Sequence, residues 1–418
     1  APVTDCMIIA RPTISPVLYC LDSETEILTS HGWRKMGQIQ IGDCVPSMDM
    51  ETKKGKWAFV QNVLERNIES DEKWISYDAP RASFRVTNRH ELIVATKKLD
   101  RTYTEFRKMS AEDVAKRGGL VIMPTAINMD MPGVPLSKWE LYFVGIVLTD
   151  GSFTNQTVQI TQSERHPEII ERIDECLQKC GLAYVKRPIK HATPAKINGI
   201  KVSEVNQRWL WTISMSITPR FKNKDTGIAG YSYKEGSVIH NGRGASYLLP
   251  YLDKDIAAPL MQCTKEQFDA LFQGIWDGDG FKVSKCPSTD WTPQSMVICS
   301  ARQQAVEKLQ ALACLHGYTA HLRKEEKGRS SPIWLLTITP QSWRSIQIGG
   351  NLKRPKVSVS EVTEIEKVWC IETTTGTIIT RRKGKVTVMG NCQMVGRGMR
   401  PTEAKCSQDT GRKRGCLV

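Results

Sequence analysis

A passage of text that occurs twice narrows the folds open to this chain more than any other feature. Ser137-Lys-Trp-Glu140 has the form of a capping box, in which the first side chain satisfies a free N–H of a helix's first turn and the fourth reaches back to do the same. The apolar run Leu141 to Thr149 follows and ends on Asp150-Gly151. Thr264-Lys-Glu-Gln267 has the same form and opens a second run from Phe268 that ends on Asp277-Gly-Asp279-Gly280. The agreement continues downstream. Val158-Gln-Ile160, Ser163, a helix from Ile169 to Cys180 and Gly181 answer Val297-Ile-Cys299, Ser300, a helix from Val306 to Leu315 and Gly317. Trp209-Leu-Trp-Thr-Ile213 answers Trp334-Leu-Leu-Thr-Ile338. Both second helices run into a glycine suited to a left-handed cap. The expectation is an α+β unit present in two copies of about a hundred residues each.

The text on either side is different. From Cys20 to about Met123 short apolar runs such as Glu26-Ile-Leu-Thr, Phe84-Arg-Val-Thr and Leu92-Ile-Val-Ala alternate with turn signals, as in an all-β domain. Residues 124 to 136 hold three prolines and a glycine and read as a linker. The β-rich text resumes near Lys356 and runs through Val368-Trp-Cys-Ile and Gly376-Thr-Ile-Ile to Asn391. The segment from His191 to about Pro250 has no counterpart in the second copy and reads as an insertion or a flexible elaboration.

A formal net charge of +14 implies an anionic partner, most simply nucleic acid. Thirteen cysteines without a dense framework suit free thiols in a reducing cytosol, so the expected location is cytoplasmic. No apolar run reaches the length of a membrane span, and residues 1 to 19 lack the basic start and long apolar core of a signal peptide, so no membrane partner is expected. Cys176, Cys180 and His191 have a faint look of zinc ligands. The two cysteines lie on one amphipathic helix without a second ligand pair, and core packing is the expectation.

The chemistry-bearing residues sit at two seams. Removing Cys20 through Asn391, 372 residues, joins Arg11–Tyr19 to Cys392-Gln-Met-Val-Gly-Arg-Gly-Met-Arg400-Pro as one sensible segment. Its Gln393, Gly396, Arg397 and Arg400 resemble the Q-x-x-G-R-x-x-R arginine-finger motif of superfamily 2 helicases, within which the flanks are most similar to RadD repair proteins. A cysteine at the first seam can attack the carbonyl before it and turn the Tyr19–Cys20 amide into a thioester. Cys392 can capture that acyl group, and Asn391 can close its side-chain amide onto its own carbonyl and cut the chain, a reaction helped by proximity.

Cys at one seam and Asn-Cys at the other, with Cys20-Leu-Asp-Ser-Glu-Thr-Glu-Ile-Leu-Thr, Phe84-Arg-Val-Thr-Asn-Arg-His90 and the closing words to Asn391, resemble the sequence blocks of inteins. The resemblance implies an all-β, horseshoe-like Hint-type splicing domain assembled from both ends of the intein. Thr87 and His90 match the family's T-x-x-H positions. Thr87, with Asn88, would donate to the tetrahedral oxyanion at Tyr19, and His90 would protonate the departing Cys20 nitrogen. Cys370 falls where the family places Asp or Cys near the nucleophiles. Most inteins carry His before the terminal Asn, but here it is Gly390, so cyclisation of Asn391 is expected to be limiting, with water, Cys370 or a basic group such as Arg381 substituting.

The repeated helices resemble the two signature motifs of LAGLIDADG homing endonucleases, often nested in inteins. Gly145 and Gly274 match the small central position and Asp150 and Asp279 the final acidic one, which implies a pseudo-symmetric two-repeat nuclease whose aspartates bind Mg²⁺. Lys186, Arg187, Arg323 and Lys324, after the two capping glycines, are candidate DNA contacts. The expected domains are an N-extein fragment (1–19), an N-terminal splicing half (20–125), a linker (126–137), an endonuclease (138–348, repeats about 138–250 and 251–348), a C-terminal splicing half (349–391) and a C-extein fragment (392–418). Splicing itself needs no cofactor. The expected partners are the host helicase exteins in cis and double-stranded DNA encoding the insertion site without its intein. Two alternatives stand beside this: a splicing-only element with an inactive endonuclease, and a fragment of a helicase or ATPase, against which the chain has no G-x-x-x-x-G-K-[ST] phosphate loop.

Overall fold

The computed structural model describes residues 20–391 except 70, 81, 99, 101, 118, 190–195, 198–199, 202–207, 217–236, 283–294, 327–331, 349–357 and 362–365. Cys392, His191 and both flanking segments lie outside these. The fold is mixed α/β and mostly strand. It divides into one unit up to Pro124 with Ser345–Arg382 and the residues from Thr387 on, and a second of Thr125–Arg344 with Lys383–Val386. No helix among the described residues is long and apolar enough to cross a membrane.

The first unit is built by interleaving two pieces of chain far apart in sequence. Thr377–Arg382 pairs with Glu26–Thr29, Lys367–Thr373 with Gly55–Asn67, Ser358–Glu361 with Lys73–Ala79, and Met389 stands opposite Leu92. The pairing follows from burial: neither piece has enough apolar surface to close a core alone. Together Leu21, Ile27, Val45, Ile75, Phe84, Val86 and Leu92 pack with Ile346, Ile348, Trp369, Ile371, Ile378 and Met389. Ile346 and Ile348 place the boundary with the second unit near residue 344, a few residues before the expected 348. The helix α1 (Ala111–Arg117) buries Ala111 and Val114 in this unit.

The second unit holds α2 (Lys138–Thr149), α3 (Pro167–Lys179), α4 (Lys265–Asp279) and α5 (Gln303–Leu315). Both capping boxes form, Ser137 with Glu140 and Thr264 with Gln267, and start α2 and α4 at matching points. The glycines after α3 and α5, Gly181 and Gly317, have φ of +63° and +81°, the left-handed conformation only glycine adopts without strain. Each copy lays down its strands in one order. Gly151–Phe153, Thr157–Ser163, Arg208–Ser214 and Tyr184–Ile189 neighbour one another in the first, and Gly280–Lys282, Met296–Ser300, Ile333–Thr339 and Thr319–Glu325 in the second. Registers agree as well: Gly151 faces Ile160 and then Trp211, as Gly280 faces Ile298 and then Leu336.

The two copies meet where α2 crosses α4. A Cβ on Gly145 would lie 2.2 Å from the Leu271 carbonyl oxygen, and one on Gly274 2.2 Å from that of Tyr142, while each glycine's Cα lies 3.0 Å from the other's added Cβ. Both are backbone contacts that cannot swing aside, so the crossing requires glycine on both helices.

Candidate active sites

In the first unit the sequence at the N-terminal seam is held by its own backbone. Leu21 exchanges backbone hydrogen bonds with Trp369 and bridges Val86, while the Thr87 N–H donates to the Cys20 carbonyl at 3.1 Å. These contacts leave Cys20 fully buried among Ile68, Trp74, Val368 and Cys370. The Cys20 N–H, the nitrogen of the Tyr19–Cys20 bond, donates to Thr87 Oγ1 at 3.2 Å. Thr87 therefore meets the nitrogen of the Tyr19–Cys20 peptide, whereas the expectation from sequence has its hydroxyl on the carbonyl side.

His90 is fully buried. Its N–H returns to the Thr87 carbonyl at 2.9 Å, closing the turn that the T-x-x-H spacing spans, and its carbonyl accepts from Ala111 at the start of α1. Asn88 departs from the expectation. Its Oδ1 accepts from the Lys73 N–H at 3.4 Å and its side chain hydrogen-bonds the Glu112 carboxylate, so it ties the turn to a neighbouring strand and to α1.

One partner of Cys20 left no mark in the sequence. Arg66 Nη2 lies 3.5 Å from Cys20 Sγ and is gripped by the buried Glu72 through two bonds of 2.6 and 2.7 Å. The bond to Glu72, and more weakly the sulfur, hold the guanidinium charged well above its ordinary range. Fork-to-fork pairing of this kind fixes direction as well as charge.

At the other seam Asn391 is buried. Its N–H donates to the Gly376 carbonyl at 3.3 Å and its Nδ2 to Thr373 Oγ1 at 2.7 Å. The two seams thus use one strand, Lys367–Thr373, which takes Cys20 beside Cys370 and Asn391 at Thr373. Three residues of strand span about 10 Å. Arg381, named in the sequence reading as a stand-in for the missing imidazole, is committed elsewhere: it forms bonds of 2.6 and 2.8 Å to Glu26 and stacks over Trp33.

The second unit's aspartates stand at matching ends of α2 and α4. Burial, followed by the negative charge of Asp279, pushes the Asp150 carboxyl up to about 6, and burial raises Asp279. Lys254 sits beside them, donating to the carbonyls of Val147, Leu148 and Gly151 at 2.8, 2.9 and 2.6 Å. It caps the negative end of the α2 dipole while supplying positive charge to both carboxylates. Gln162 Nε2 donates to Asp150 Oδ2 at 3.1 Å. By register, the second copy has Ser300 where the first has Gln162. Neither Lys254 nor Gln162 stood out in the sequence: Gln162 reaches the site through strand pairing and Lys254 from a turn remote in sequence. Two adjoining carboxylates form a hard-oxygen pair suited to Mg²⁺, whose remaining ligands would be water and phosphate. Among the described residues no group of three or more His, Cys, Asp or Glu is clustered for a metal.

Asp277, two residues before Asp279, is structural. It is buried, accepts from Tyr142 Oη at 2.9 Å and Gln273 Nε2 at 2.7 Å, and pairs with Arg172 of α3. Cys176 and Cys180 are buried too, the former donating to the Trp139 carbonyl at 3.1 Å, in keeping with core packing.

The strand registers separate the four candidate DNA contacts. Directly paired residues share a sheet face. Lys186 is level with Trp211 and the buried Ile160, on the face that α3 covers, where Asp174 neutralises it and Trp209 and Trp211 flank it. Its counterpart is Leu322, so Lys186 is corrected to a packing residue. Arg187 is on the other face and matches Arg323, which is exposed. Lys324 is exposed, pairs with Glu326 and matches Pro188. The sequence reading aligned these pairs one residue out of step, and in a strand one residue is the difference between faces.

No family model matches the chain, and no curated protein matches it. Among solved structures it is similar to mesophilic variants of the homing endonuclease I-DmoI, with a TM-score of 0.29 and 10% identity over 48% of this chain and 88% of that one. I-DmoI in complex with DNA and Mn gives 0.29 and 11% over 48% and 89%, and full-length DUF199/WhiA from Thermatoga maritima 0.27 and 9% over 49% and 52%. TM-scores of this size lie below what defines a shared fold.

Proposed function

We propose that the chain is a self-splicing element that carries a nested DNA endonuclease. The observation that supports splicing best is that residues 20 and 391, the two ends of the inserted text, are each buried in the first unit with a threonine hydroxyl on the nitrogen that must react: Thr87 on the Cys20 nitrogen and Thr373 on the Asn391 side-chain nitrogen. Burial excludes water that would hydrolyse an ester, and a preset hydrogen bond needs no reorganisation during reaction.

Cys20 Sγ, beside the Arg66 guanidinium, attacks the Tyr19 carbonyl carbon. The carbon–nitrogen bond breaks and the Cys20 nitrogen, held by Thr87, takes up a proton, with His90 in the same turn as its donor. The Cys392 thiol then takes the acyl group, Asn391 cyclises with release of Cys392, and the freed amine of Cys392 recaptures the acyl carbon from its own sulfur as an amide. In the second unit Asp150 and Asp279 would hold Mg²⁺, which supplies charge to stabilise a leaving oxygen and an activated water. Gln162 holds the Asp150 carboxylate, Lys254 supplies positive charge beside both aspartates, and Arg187 and Arg323, at matching register, are suited to phosphate contacts on double-stranded DNA.

Intact-mass analysis of freshly synthesised, reduced protein tests the first half. Residues 1–19 joined to 392–418, together with a free segment of 20–391, are expected, and Cys20→Ala should leave a single uncut chain. An unchanged 418-residue mass in the folded wild-type protein contradicts splicing. For the second half, a plasmid carrying the DNA of the joined Tyr19–Cys392 junction should be cut only with Mg²⁺ and not by Asp150→Asn or Asp279→Asn; a plasmid left intact contradicts it.

A further inference from the structure

We infer that Thr373 is the catalytic residue for cyclisation of Asn391, in the place that an imidazole before the asparagine would otherwise take; this rests on the splicing reading above. The step begins at Asn391 Nδ2, an amide nitrogen whose lone pair is delocalised and which is a poor nucleophile until a proton leaves it. Thr373 Oγ1 accepts from that nitrogen at 2.7 Å and passes its own hydrogen toward the Thr377 carbonyl at 3.3 Å. The Thr377 carbonyl and the Thr375 hydroxyl, also at 3.3 Å, are both within reach of its proton, and the hydroxyl oxygen accepts from Asn391. A second bond, from the Asn391 N–H to the Gly376 carbonyl at 3.3 Å, fixes the backbone about which the side chain must fold.

The structure also gives a reason for the missing imidazole. A Cβ on Gly390 would lie 2.6 Å from Glu91 Cβ and 2.9 Å from the Glu91 carbonyl oxygen. Glu91 follows His90 directly and is tied to Lys108 at 2.8 Å, so making room at 390 would displace the turn that holds the other seam. Thr373 reaches Asn391 from the end of Lys367–Thr373, a strand of a different sheet from the one that leads into Asn391. The register slips between Glu372 and Thr373, an irregularity of the kind that re-aims a side chain. The hydroxyl belongs to a buried set, with Thr375 Oγ1 at 3.3 Å and Thr377 bonded to the Met48 backbone at 2.8 Å, so its position is held by several strands.

In the step itself Nδ2 bonds to the Asn391 carbonyl carbon and the bond from that carbon to the Cys392 nitrogen breaks. One proton leaves Nδ2, one joins the departing amine, and a five-membered succinimide closes the released segment. No water or other reactant is consumed. Thr373 does not keep the proton; it orients the amide and draws on its N–H as the new bond forms.

The test compares the full chain with Thr373→Val, Thr373→Ser and Gly390→His, following each species by intact mass over time. Thr373→Val should slow cyclisation roughly 10- to 100-fold, the effect of removing one hydrogen bond to a reacting atom. The branched intermediate should then accumulate, while thiol-induced release of residues 1–19 keeps its wild-type rate. Thr373→Ser should restore cyclisation, and Gly390→His should not accelerate it. Wild-type cyclisation in Thr373→Val overturns the inference and leaves the splicing reading standing. Loss of both steps in both Thr373 variants shows a structural role and also overturns it. A wild-type chain that never excises removes the reading beneath it, an outcome distinct from the other two.

Discussion

The two candidate sites reach their geometry by opposite routes. In the second unit one device is written twice: a capping box starts each helix, a glycine sets the crossing, and an aspartate ends up beside its twin. In the first unit nothing repeats. Cys20, Arg66 and Thr87 come from one piece of text and Thr373 and Asn391 from the other, and the core that the two pieces share places both groups in one unit. A duplicated site inherits its alignment from symmetry and varies at the edges, as Gln162 and Ser300 do. An assembled site has no such template, and each reacting atom needs its own partner.

The largest effect should come from the helix crossing. Gly145→Leu drives a side chain into the backbone of α4 and should cost the second unit at least about 4 kcal/mol, the range of severe overpacking. Limited proteolysis should find residues 125–344 cleaved, while excision at the two seams persists. Loss of excision together with the second unit would break the distinction between the sites. Next comes Thr87→Ala, which leaves the scissile Cys20 nitrogen buried without its hydroxyl, a loss of about 1–3 kcal/mol or roughly 10- to 100-fold in rate of thioester formation. Kinetics of thiol-induced cleavage measure it, and the second unit's melting temperature should not move.

Burial and the neighbouring charge strain the carboxylates of the duplicated site. With an ordinary value of 3.8 raised to about 6, the Asp150 carboxyl favours the folded state fully below pH 3.8, and that contribution is lost as the pH climbs through about 6. Asp150→Asn cannot ionise and should therefore stabilise the metal-free protein by up to about 3 kcal/mol above pH 6, with no gain below pH 4. Urea titrations at pH 4 and pH 7.5 in the presence of a chelator give the two values. The smallest effect sharpens the difference between the copies. Gln162→Ala should slow cutting of one DNA strand by several-fold, about 1 kcal/mol, and Ser300→Ala should leave both strands unaffected, as read from the nicked intermediates on labelled DNA.

What the sequence disclosed follows the same division. Helix starts, left-handed glycines, the glycine pair and Asp150 with Asp279 were legible because each rests on neighbours within a few residues. Cys20, His90 and Asn391 stood out in the sequence by residue type and position, and their burial came only with the fold. Arg66, Thr373, Lys254 and Gln162 were not, since each reaches its target through tertiary structure that no local pattern encodes: strand pairing places Arg66, Thr373 and Gln162, and a turn remote in sequence places Lys254. The same cause separates Lys186 from Arg187: one residue of register puts Lys186 on the face that α3 covers.

The thioester at Cys20 is the claim on which the account stands, and it can be read directly. Asn391→Ala, unable to cyclise, is purified folded and incubated with a small thiol, and the released peptide is weighed. Residues 1–19 should appear as the thioester of the added thiol, leaving an amino-terminal Cys20 on the remainder, with no release from Asn391→Ala that also carries Cys20→Ala. A folded chain that stays whole in the thiol while its Cys20 still alkylates after denaturation would contradict the account.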